Sequence, residues 1–598
     1  MEDTNVRLVA SLVVGVAATA FAIRQISGDQ IQTFFSSSNT KEKRHILPSV
    51  KSKLFLWRKL ELRSLQSLTY LLAAFGPKGY NAPNCAPGCM IASPSRPEDR
   101  PGGKDENENY FFQWPRDSAL CLREVIRRAI LAEQGRTIGV ENENAIELHT
   151  IIRDFAKMSI KLQHTANRSG TFQTGGIGEP KFNVDGSSFE DDWGRPQNDG
   201  PALRAISMLF YANYLLSIDD KEALEYVRST LYRPSAATTS SLIKDDLDYV
   251  ARAWQENSYE LWEEVQADVK NGGGHFHTLM VQRRALLAGA QFAVRSEIGD
   301  AWSAGRYRTA AKAITKHLET FWNPEGKLER EGGPQYEDGP LAIHWNDDRN
   351  LGKIPKKLLH KPHVIGTLER VHGQPKPCQV DVAVLLGFTH GWDGDLVGPE
   401  QGREDGEDES WSPWSDRALV TLDRIVDVFK IVYPINAKRS TSTGVLCGRY
   451  PEDVYDGVQQ SIGHPWFLCT HAISEILSIT AQHFAALPSL PIVVTKETQD
   501  FWTKVGNAAA GCQIETNIYD GTFKRGDPIY EQLMAGLWSM SDAYLAICDE
   551  YVGEADMMSE QIERTHGKMR GARELSWSYA SFMSAIAARQ GHFLGLRS

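Results

Sequence analysis

Residues 176–204 read GIGEPKFNVDGSSFEDDWGRPQNDGPALR, a loop-like stretch that ends where a helix begins. Asp199-Gly200-Pro201 is typical of a turn followed by a helix N-terminus. From Pro201 to Leu216, apolar residues recur every three to four positions, which is the period of a helix. The same alternation of loop and helix continues from about residue 60 to residue 590. The chain is therefore predicted to be all-α, with long loops between its helices.

Other segments share the helical period, whereas strand alternation is scarce. Ile492 to Val494 is a short apolar run that we interpret as a loop. There is no βαβ rhythm and no glycine-rich phosphate loop. We expect one closed toroid of paired helices whose loops gather at one rim and form the site. The other helical segments are Asp117 to Glu133, Asn144 to Gln163, Leu242 to Trp254, Thr278 to Ser296, Trp302 to Trp322, Asp416 to Tyr433, Trp466 to Phe484, Gln499 to Ala510, Ile529 to Asp549 and Leu575 to Arg589.

Composition narrows the class of protein. A length of 598 residues suggests about four domains at roughly 150 residues each, although a closed barrel can use such a length as one unit. With 41% hydrophobic and 24% charged residues, the chain is neither disordered nor fibrous as a whole. A net charge of -11 disfavours a dedicated nucleic-acid binder.

Aromatic residues are the better clue to function. The chain has 15 Trp, 19 Tyr and 23 Phe, and several Trp lie in Gly/Pro-rich loop sequence instead of apolar helical stripes. Such side chains either line a site for flat ligands such as sugar rings or cap the core, and composition leaves both open.

The N-terminal segment contains an uncharged apolar run from Leu8 to Ile23. The run is shorter than the roughly 20 residues of a membrane-spanning helix and suits a signal-peptide core. The acidic residues before it are atypical of a signal peptide, and a buried N-terminal helix is the alternative. We predict entry to the secretory pathway, as a secreted, vacuolar or membrane-anchored protein. Residues 1–55 are assigned to this segment and a polar stalk, and residues 56–598 to the helical domain.

Eight cysteines suit either disulfides or buried free thiols. Cys85 and Cys89 lie four residues apart, but no His or second Cys pair is near them in sequence, so a zinc site is not expected. We expect neither a metal nor a cofactor.

Two of the loop segments contain charges beside aromatic residues. Tyr110 to Asp117 reads YFFQWPRD, and its Arg116 and Asp117 either hydrogen-bond sugar hydroxyls or cap a helix. Glu263 and Glu264 follow Leu261 and Trp262, where desolvation and like charge would raise a carboxyl pKa. A solvated acidic pair at a helix end is the alternative.

Taken together, the loop segments resemble glycoside hydrolase family 15, the fungal-type glucoamylases, from about residue 65 to residue 590. The resemblance implies an (α/α)6 barrel, a six-hairpin toroid, that cleaves α-1,4-linked glucose from non-reducing chain ends and releases β-glucose. It also implies an α-glucan substrate and no nucleic acid, and we expect a monomer without a C-terminal starch-binding domain. The matching strings are MIASPS, WPRDSAL, GEPKFNVDG, WGRPQNDGPALRA, LWEEV, GRYPEDVY, PWFLCT, MSEQ and LSWSYA.

Residue roles follow from the resemblance, position by position. Glu263 matches the general acid, and Glu560 matches the general base that activates water. Arg116 and Asp117 match the pair that holds hydroxyls of the terminal glucose. The further substrate-binding positions that it implies are Tyr110, Trp114, Trp193, Leu261, Trp262, Glu264, Arg449, Tyr455, Trp466 and Trp577.

The chemistry of inversion adds two expectations. The two carboxyls should stand about 6.5–9.5 Å apart, so that a water fits beside the sugar. The acid must hold a proton at the working pH, so Glu263 is expected in the drier and more crowded place.

Several segments depart from the family pattern. Pro115, Asn198 and Glu260 replace its usual Thr, Arg and Asp. The segment between Tyr455 and Pro465 is longer than usual, and Leu341 to Glu409 has no clear match and is interpreted as an insertion. These changes leave open a same-fold enzyme for another α-glucoside, such as trehalose or isomaltose. A non-catalytic carbohydrate-binding relative is disfavoured because both catalytic glutamates are present.

Overall fold

The architecture is a closed ring of helix pairs. A computed structural model describes residues 48–97, 109–135, 142–234, 241–328, 350–392, 409–509 and 518–592. Its helices are α1 (Pro48–Ala73), α2 (Pro115–Glu133), α3 (Asn142–His164), α4 (Asp199–Ser217), α5 (Lys221–Tyr226), α6 (Leu242–Ala253), α7 (Phe276–Ala293), α8 (Ala301–Leu318), α9 (Lys356–Leu359), α10 (Ala383–His390), α11 (Asp416–Val432), α12 (Phe467–Ala486), α13 (Gln499–Ala508), α14 (Pro528–Asp549) and α15 (Ser576–Gln590).

Six helices form an inner ring in which each contacts the next. The order is α2, α4, α7, α10, α12 and α15, and α15 packs back on α2 and closes the ring. An outer helix packs on each inner one: α3 on α2, α6 on α4, α8 on α7, α11 on α10, α14 on α12 and α1 on α15. This arrangement is an (α/α)6 barrel, and the predicted fold class is confirmed.

Burial patterns explain which helices lie inside. Nearly every side chain of α4 and α12 is buried, as expected of helices surrounded by other helices. The outer helix α8 instead buries one stripe, with Tyr307, Ala311, Ile314 and Leu318 at intervals of three to four residues. The charged residues between them face solvent. The hydrophobic pattern therefore sorts the helices into two layers.

The inner helices share one direction, because an outer helix runs back between consecutive inner ones. The loops that precede the inner helices therefore meet at a single rim. Short antiparallel strands stiffen these loops. They are β1 (Ser258–Tyr259), β2 (Gln266–Ala267), β3 (Gly274–His275), β4 (Trp322–Asn323), β5 (His363–Val364), β6 (Thr367–Leu368), β7 (Arg370–His372), β8 (Ile492–Val494), β9 (Gly521–Phe523), β10 (Gln561–Ile562) and β11 (Met569–Arg570). Strand β2 joins β1 to β7, and the pairs are β3 with β6, β4 with β5, β8 with β9 and β10 with β11.

Three interpretations of the sequence are wrong in detail. Ile492–Val494 is a strand, because β9 pairs with it from Ile492↔Phe523 to Val494↔Gly521. Helix α1 begins at Pro48, inside the segment interpreted as a stalk. Residues 350–392 are not simply an insertion, because they contain the inner-ring helix α10.

Two expectations concern residues that the structure only partly describes. The apolar run Leu8 to Ile23 lies outside the described ranges, and no helix within those ranges is long and apolar enough to cross a bilayer. Seven cysteines are free and buried thiols, among them Cys85 and Cys89, while Cys512 lies outside the described ranges.

Candidate active site

A cavity of about 550 Å³ opens at the rim where the inner helices begin. It is lined by all fourteen residues that the sequence predicts for the site. They are Tyr110, Trp114, Arg116, Asp117, Trp193, Leu261, Trp262, Glu263, Glu264, Arg449, Tyr455, Trp466, Glu560 and Trp577. The residues come from loops far apart in sequence, so the closure of the ring is what brings them together.

Arg116 occupies the centre of the cavity floor. It lies in the first turn of α2, after Pro115, whose fixed φ suits a helix start. Its Nη2 donates to Glu263 Oε1 at 3.0 Å, and its Nη1 donates to the amide oxygen of Gln197 at 2.6 Å. Asp199 Oδ2 lies 3.5 Å from Nη1, and Asp117 Oδ2 lies 3.3 Å from Nε. One buried guanidinium thus faces three carboxyl groups.

This excess of acidic groups changes the protonation behaviour of the floor. Burial raises the pKa of Asp117 to about 6, although Arg116 opposes the change and Glu263 and Asp199 add to it. Burial also raises the pKa of Asp199. Desolvation would lower the pKa of Arg116, but Asp199, Asp117 and Glu263 together hold it above its ordinary value. The floor therefore retains a proton more readily than free aspartates would.

Glu263 lies in the loop between β1 and β2, with a left-handed backbone at φ 71°. That conformation costs a non-glycine residue about 1–2 kcal/mol, so the surrounding contacts must hold it. Besides Arg116, the carboxylate accepts from Trp114 Nε1 at 3.2 Å, from Gln197 Nε2 at 3.0 Å and from the indole of Trp193. These donors all converge on one carboxylate and define its position.

Glu560 is buried, with 1% of its surface exposed. Tyr110 donates its hydroxyl to Oε1 at 2.8 Å, and Gln561 donates its amide to Oε2 at 3.2 Å. Gly571, at φ 73°, lies against the same carboxylate, because a Cβ there would stand 2.4 Å from Oε2. Close backbone approach therefore forms one wall of the Glu560 site.

The expectation that Glu263 occupies the drier place is wrong. Its side chain is 18% exposed, whereas Glu560 is almost wholly buried. The physical reason is that Glu263 lies on a loop at the rim, while Glu560 lies beneath Tyr110 and against Gly571.

An aromatic pair connects the two carboxylates. Trp114 contacts Glu263, Tyr110 contacts Glu560, and the two rings lie 5.8 Å apart, centroid to centroid. Tyr110 also shares a hydrogen bond of 2.7 Å with the hydroxyl of Tyr455. Both carboxylates line the same cavity. The carboxyl separation expected for inversion stays a prediction.

Glu264 belongs to a second charge cluster in the cavity wall. It accepts from Arg449 Nη2 at 2.7 Å and from the hydroxyl of Tyr450. Asp453 holds Arg449 from behind through bonds of 2.8 and 2.6 Å. The guanidinium lies 5.2 Å from the Trp466 ring centroid. Desolvation acts to lower the pKa of Arg449, but Asp453 and Glu264 raise it well above its ordinary value.

Sequence reasoning missed the residues that support the floor and wall. Gln197 and Asp199 orient Arg116. The sequence predicts the Asp199-Gly200-Pro201 turn but not the contact of Asp199 with Arg116. Asp381 accepts from Trp262 Nε1 at 2.9 Å and from Lys376 Nζ at 2.6 Å. Lys376 and Asp381 come from the segment without a clear match, so no motif pointed to them.

The arrangement suits acid–base chemistry on a ligand with many hydroxyls. Two carboxylates line one cavity, charged groups form its floor and wall, and aromatic rings surround it. Among the residues that the structure describes, no group of three or more His, Cys, Asp or Glu could hold a metal ion.

Comparison with known proteins gives a consistent result. The sequence model described as glycosyl hydrolases family 15 matches residues 66–587. A probable glucoamylase of Schizosaccharomyces pombe is 30% identical, over 88% of this chain and 90% of that protein. An intracellular, sporulation-specific glucoamylase of Saccharomyces cerevisiae is 27% identical, over 85% of this chain and 80% of that protein. The solved structure of the Hormoconis resinae glucoamylase superposes with a TM-score of 0.68 at 27% identity, covering 90% of this chain and 74% of that one.

The raised pKa of Asp117 predicts how stability depends on pH. Its folded pKa of about 6 exceeds the model value of 3.8, so the native state binds a proton that the unfolded chain releases. This contribution is complete below about pH 4 and is lost as pH rises through about 6. Asp117→Asn keeps a neutral side chain, so its melting temperature should fall less than that of the wild type between pH 4 and pH 7.

Asp185 provides a contrast of opposite sign. Hydrogen bonds from the hydroxyl and backbone N–H of Ser187 lower its pKa, so its stabilisation is lost as pH falls. Asp185→Asn should reduce the loss of stability at acid pH. A wild-type slope retained in Asp117→Asn would contradict the assignment of the proton to Asp117.

Proposed function

This chain belongs to glycosyl hydrolases family 15, and from that premise we propose that it is an inverting glucan 1,4-α-glucosidase. It releases β-D-glucose, one unit at a time, from the non-reducing ends of α-1,4-glucans such as starch, dextrin and glycogen. The observation that carries the proposal is the placement of Glu263 and Glu560 on one cavity, bridged by Trp114 and Tyr110.

Glu263 is assigned as the general acid that protonates the glycosidic oxygen. Its side chain is partly exposed, so solvent can return a proton to it after each turnover. The indoles of Trp114 and Trp193 and the amide of Gln197 fix the carboxyl and stabilise the carboxylate left after proton transfer. These contacts would keep the Glu263 carboxyl in one position both before and after it loses its proton.

Glu560 is assigned as the general base. A base must remain ionised and must aim at the water that attacks the anomeric carbon from the face opposite the leaving group. Tyr110 and Gln561 donate one hydrogen bond to each carboxylate oxygen, which fixes the orientation of the group. Because Gly571 has no side chain, its backbone can lie against the Glu560 carboxylate, and a Cβ at this position would collide with Oε2.

The charged groups of the floor are assigned to the terminal glucose. Asp117 accepts hydrogen bonds from sugar hydroxyls and Arg116 donates them, and the side chains of both line the cavity. Glu264 and Arg449 do the same from the wall. The apolar faces of the sugar rings pack against the aromatic and apolar lining residues Trp114, Trp193, Leu261, Trp262, Tyr455, Trp466 and Trp577.

The anomeric form of the product tests the proposed function. Glucose released from maltose and from maltoheptaose should be the β-anomer at first and then mutarotate, as followed by ¹H NMR at early times. Trehalose and isomaltose, supplied in parallel, should release glucose more slowly. An initial α-anomer would contradict inversion, and faster release from trehalose or isomaltose would contradict the substrate assignment.

Substitution of each catalytic glutamate tests its role. Both substitutions preserve shape, but Glu263→Gln removes the acidic proton and Glu560→Gln removes the basic carboxylate, so each should lower kcat by about 10²–10⁴-fold. Glu190 is exposed and does not line the cavity, so Glu190→Gln serves as a matched control with wild-type turnover. Near-native turnover in either variant would contradict the catalytic role assigned to that glutamate.

We also propose that the apolar run from Leu8 to Ile23 directs the chain into the secretory pathway, as a cleaved signal or as a membrane anchor. The uncharged apolar composition of the run, and a length that suits a signal-peptide core, support this. The name of the Saccharomyces cerevisiae relative makes an intracellular location the alternative. Full-length chain should be recovered in medium, vacuole or membranes, whereas a chain lacking residues 1–27 should stay in the cytosol. Equal distribution of both forms would contradict the proposal.

A further inference from the structure

The cavity has an inner part with charged side chains and an outer part with side-chain amides. Inside, the catalytic and sugar-binding side chains are hydrogen-bonded to one another, as for Glu263, Glu560 and Arg449. Further out, the cavity is lined by the side chains of Gln374, Gln459 and Gln460. The part of the chain that the structure describes offers no hydrogen-bond partner to these three amides. Each carries donors and an acceptor that are free for a ligand.

Gln459 and Gln460 are held on an ordered turn. The Asp456 carboxylate accepts from the backbone N–H of Val458 at 3.0 Å and of Gln459 at 2.9 Å, and from the Ser461 hydroxyl at 2.6 Å. The backbone N–H of Asp456 donates to the carbonyl oxygen of Gln459 at 3.0 Å. Because the turn is already fixed, a ligand bound by its glutamines does not have to order it.

The turn is also fixed relative to the catalytic base. Arg570, in β11, lies 2.9 Å from the Asp456 carboxylate. Gly457, at φ 89°, packs so closely on Gly571 that a Cβ on it would stand 2.6 Å from the Gly571 Cα. Gly571 in turn touches Glu560. The backbone of the turn that carries the two glutamines is therefore packed against the Glu560 site.

Beyond Gln459 lies a second cavity, of about 670 Å³. Gln459 lines both cavities, so its side chain stands at the boundary between them. The far cavity has apolar surface from Met557 and Met569 beside the charged side chains of Arg570 and Arg573. Apolar patches next to charged donors suit the ring faces and hydroxyls of a sugar.

We propose that Gln459 and Gln460 bind hydroxyls of the glucose units beyond the first one on the leaving-group side of the scissile bond, and that a longer glucan continues past Gln459 into the second cavity. The inference rests on the proposed function and refines it. It makes these glutamines determinants of chain-length preference. They lie in the segment between Tyr455 and Pro465 that is longer than the family pattern, so the preference would be a property of this chain.

The ratio of kcat/KM for maltoheptaose to kcat/KM for maltose tests the proposal. In the double variant Gln459→Ala/Gln460→Ala this ratio should fall about tenfold, since two hydrogen bonds to outer glucose units are lost and maltose has no such units. Gln459→Trp should also lower the ratio, because a bulky ring at the boundary narrows the path to the second cavity. Gln173→Ala, an exposed glutamine outside both cavities, is the matched control and should keep the wild-type ratio.

Calorimetric binding separates this inference from the proposed function. In a Glu263→Gln background, the double variant should bind maltoheptaose about tenfold more weakly, with a smaller change for maltose. An unchanged ratio together with unchanged maltoheptaose affinity would overturn the inference, and so would equal losses for both sugars. If wild-type protein hydrolysed neither sugar, the proposed function would fail, whereas the binding measurement would still decide the role of the glutamines.

Discussion

The site depends on one constraint, which is that a single buried guanidinium must balance several carboxyl groups. Arg116 faces Asp117, Asp199 and Glu263, with Gln197 filling the remaining acceptor position. A buried cation is costly unless it is paired, and buried carboxylates are costly unless a cation or donors face them. Each charged group therefore holds the others in place, and this network fixes the position of the Glu263 carboxylate.

The ring of inner helices makes the network achievable. Asp117 lies in the first turn of α2 and Asp199 in the first turn of α4, where helix N-termini favour negative charge. Because the inner helices share one direction, several such N-termini meet below the cavity. The barrel thus supplies partial positive charge from the backbone where three carboxyl groups converge, and Arg116 supplies the rest. The shared direction of the inner helices thus determines both how the barrel closes and where the positive N-terminal charge lies.

Sequence patterns predicted much of this, and the failures have physical reasons. Helical periodicity predicted α2, α4, α12 and α15 to within a few residues, because each is 15 to 20 residues long and repeats its apolar spacing over several turns. Helix α10 was not predicted, because eight residues give only about two turns in which to detect that spacing. The resemblance brought all fourteen site residues to one cavity, yet neither it nor periodicity could rank their burial. Glu560 is more deeply buried than Glu263 because Tyr110 and Gly571 lie against its carboxylate. These are contacts between loops that are distant in sequence, so no local sequence pattern predicts them.

The floor and the rim of the cavity differ in how deeply their polar side chains are buried. On the floor, mutual hydrogen bonds preorganise Arg116, Glu263 and Glu560, so a change there disturbs partners that are buried and cannot be solvated. At the rim, Gln459 and Gln460 are exposed, and their replacement leaves no buried group without a partner. Rim residues can therefore change at little cost to stability, whereas Glu263 stays under the constraint of the floor.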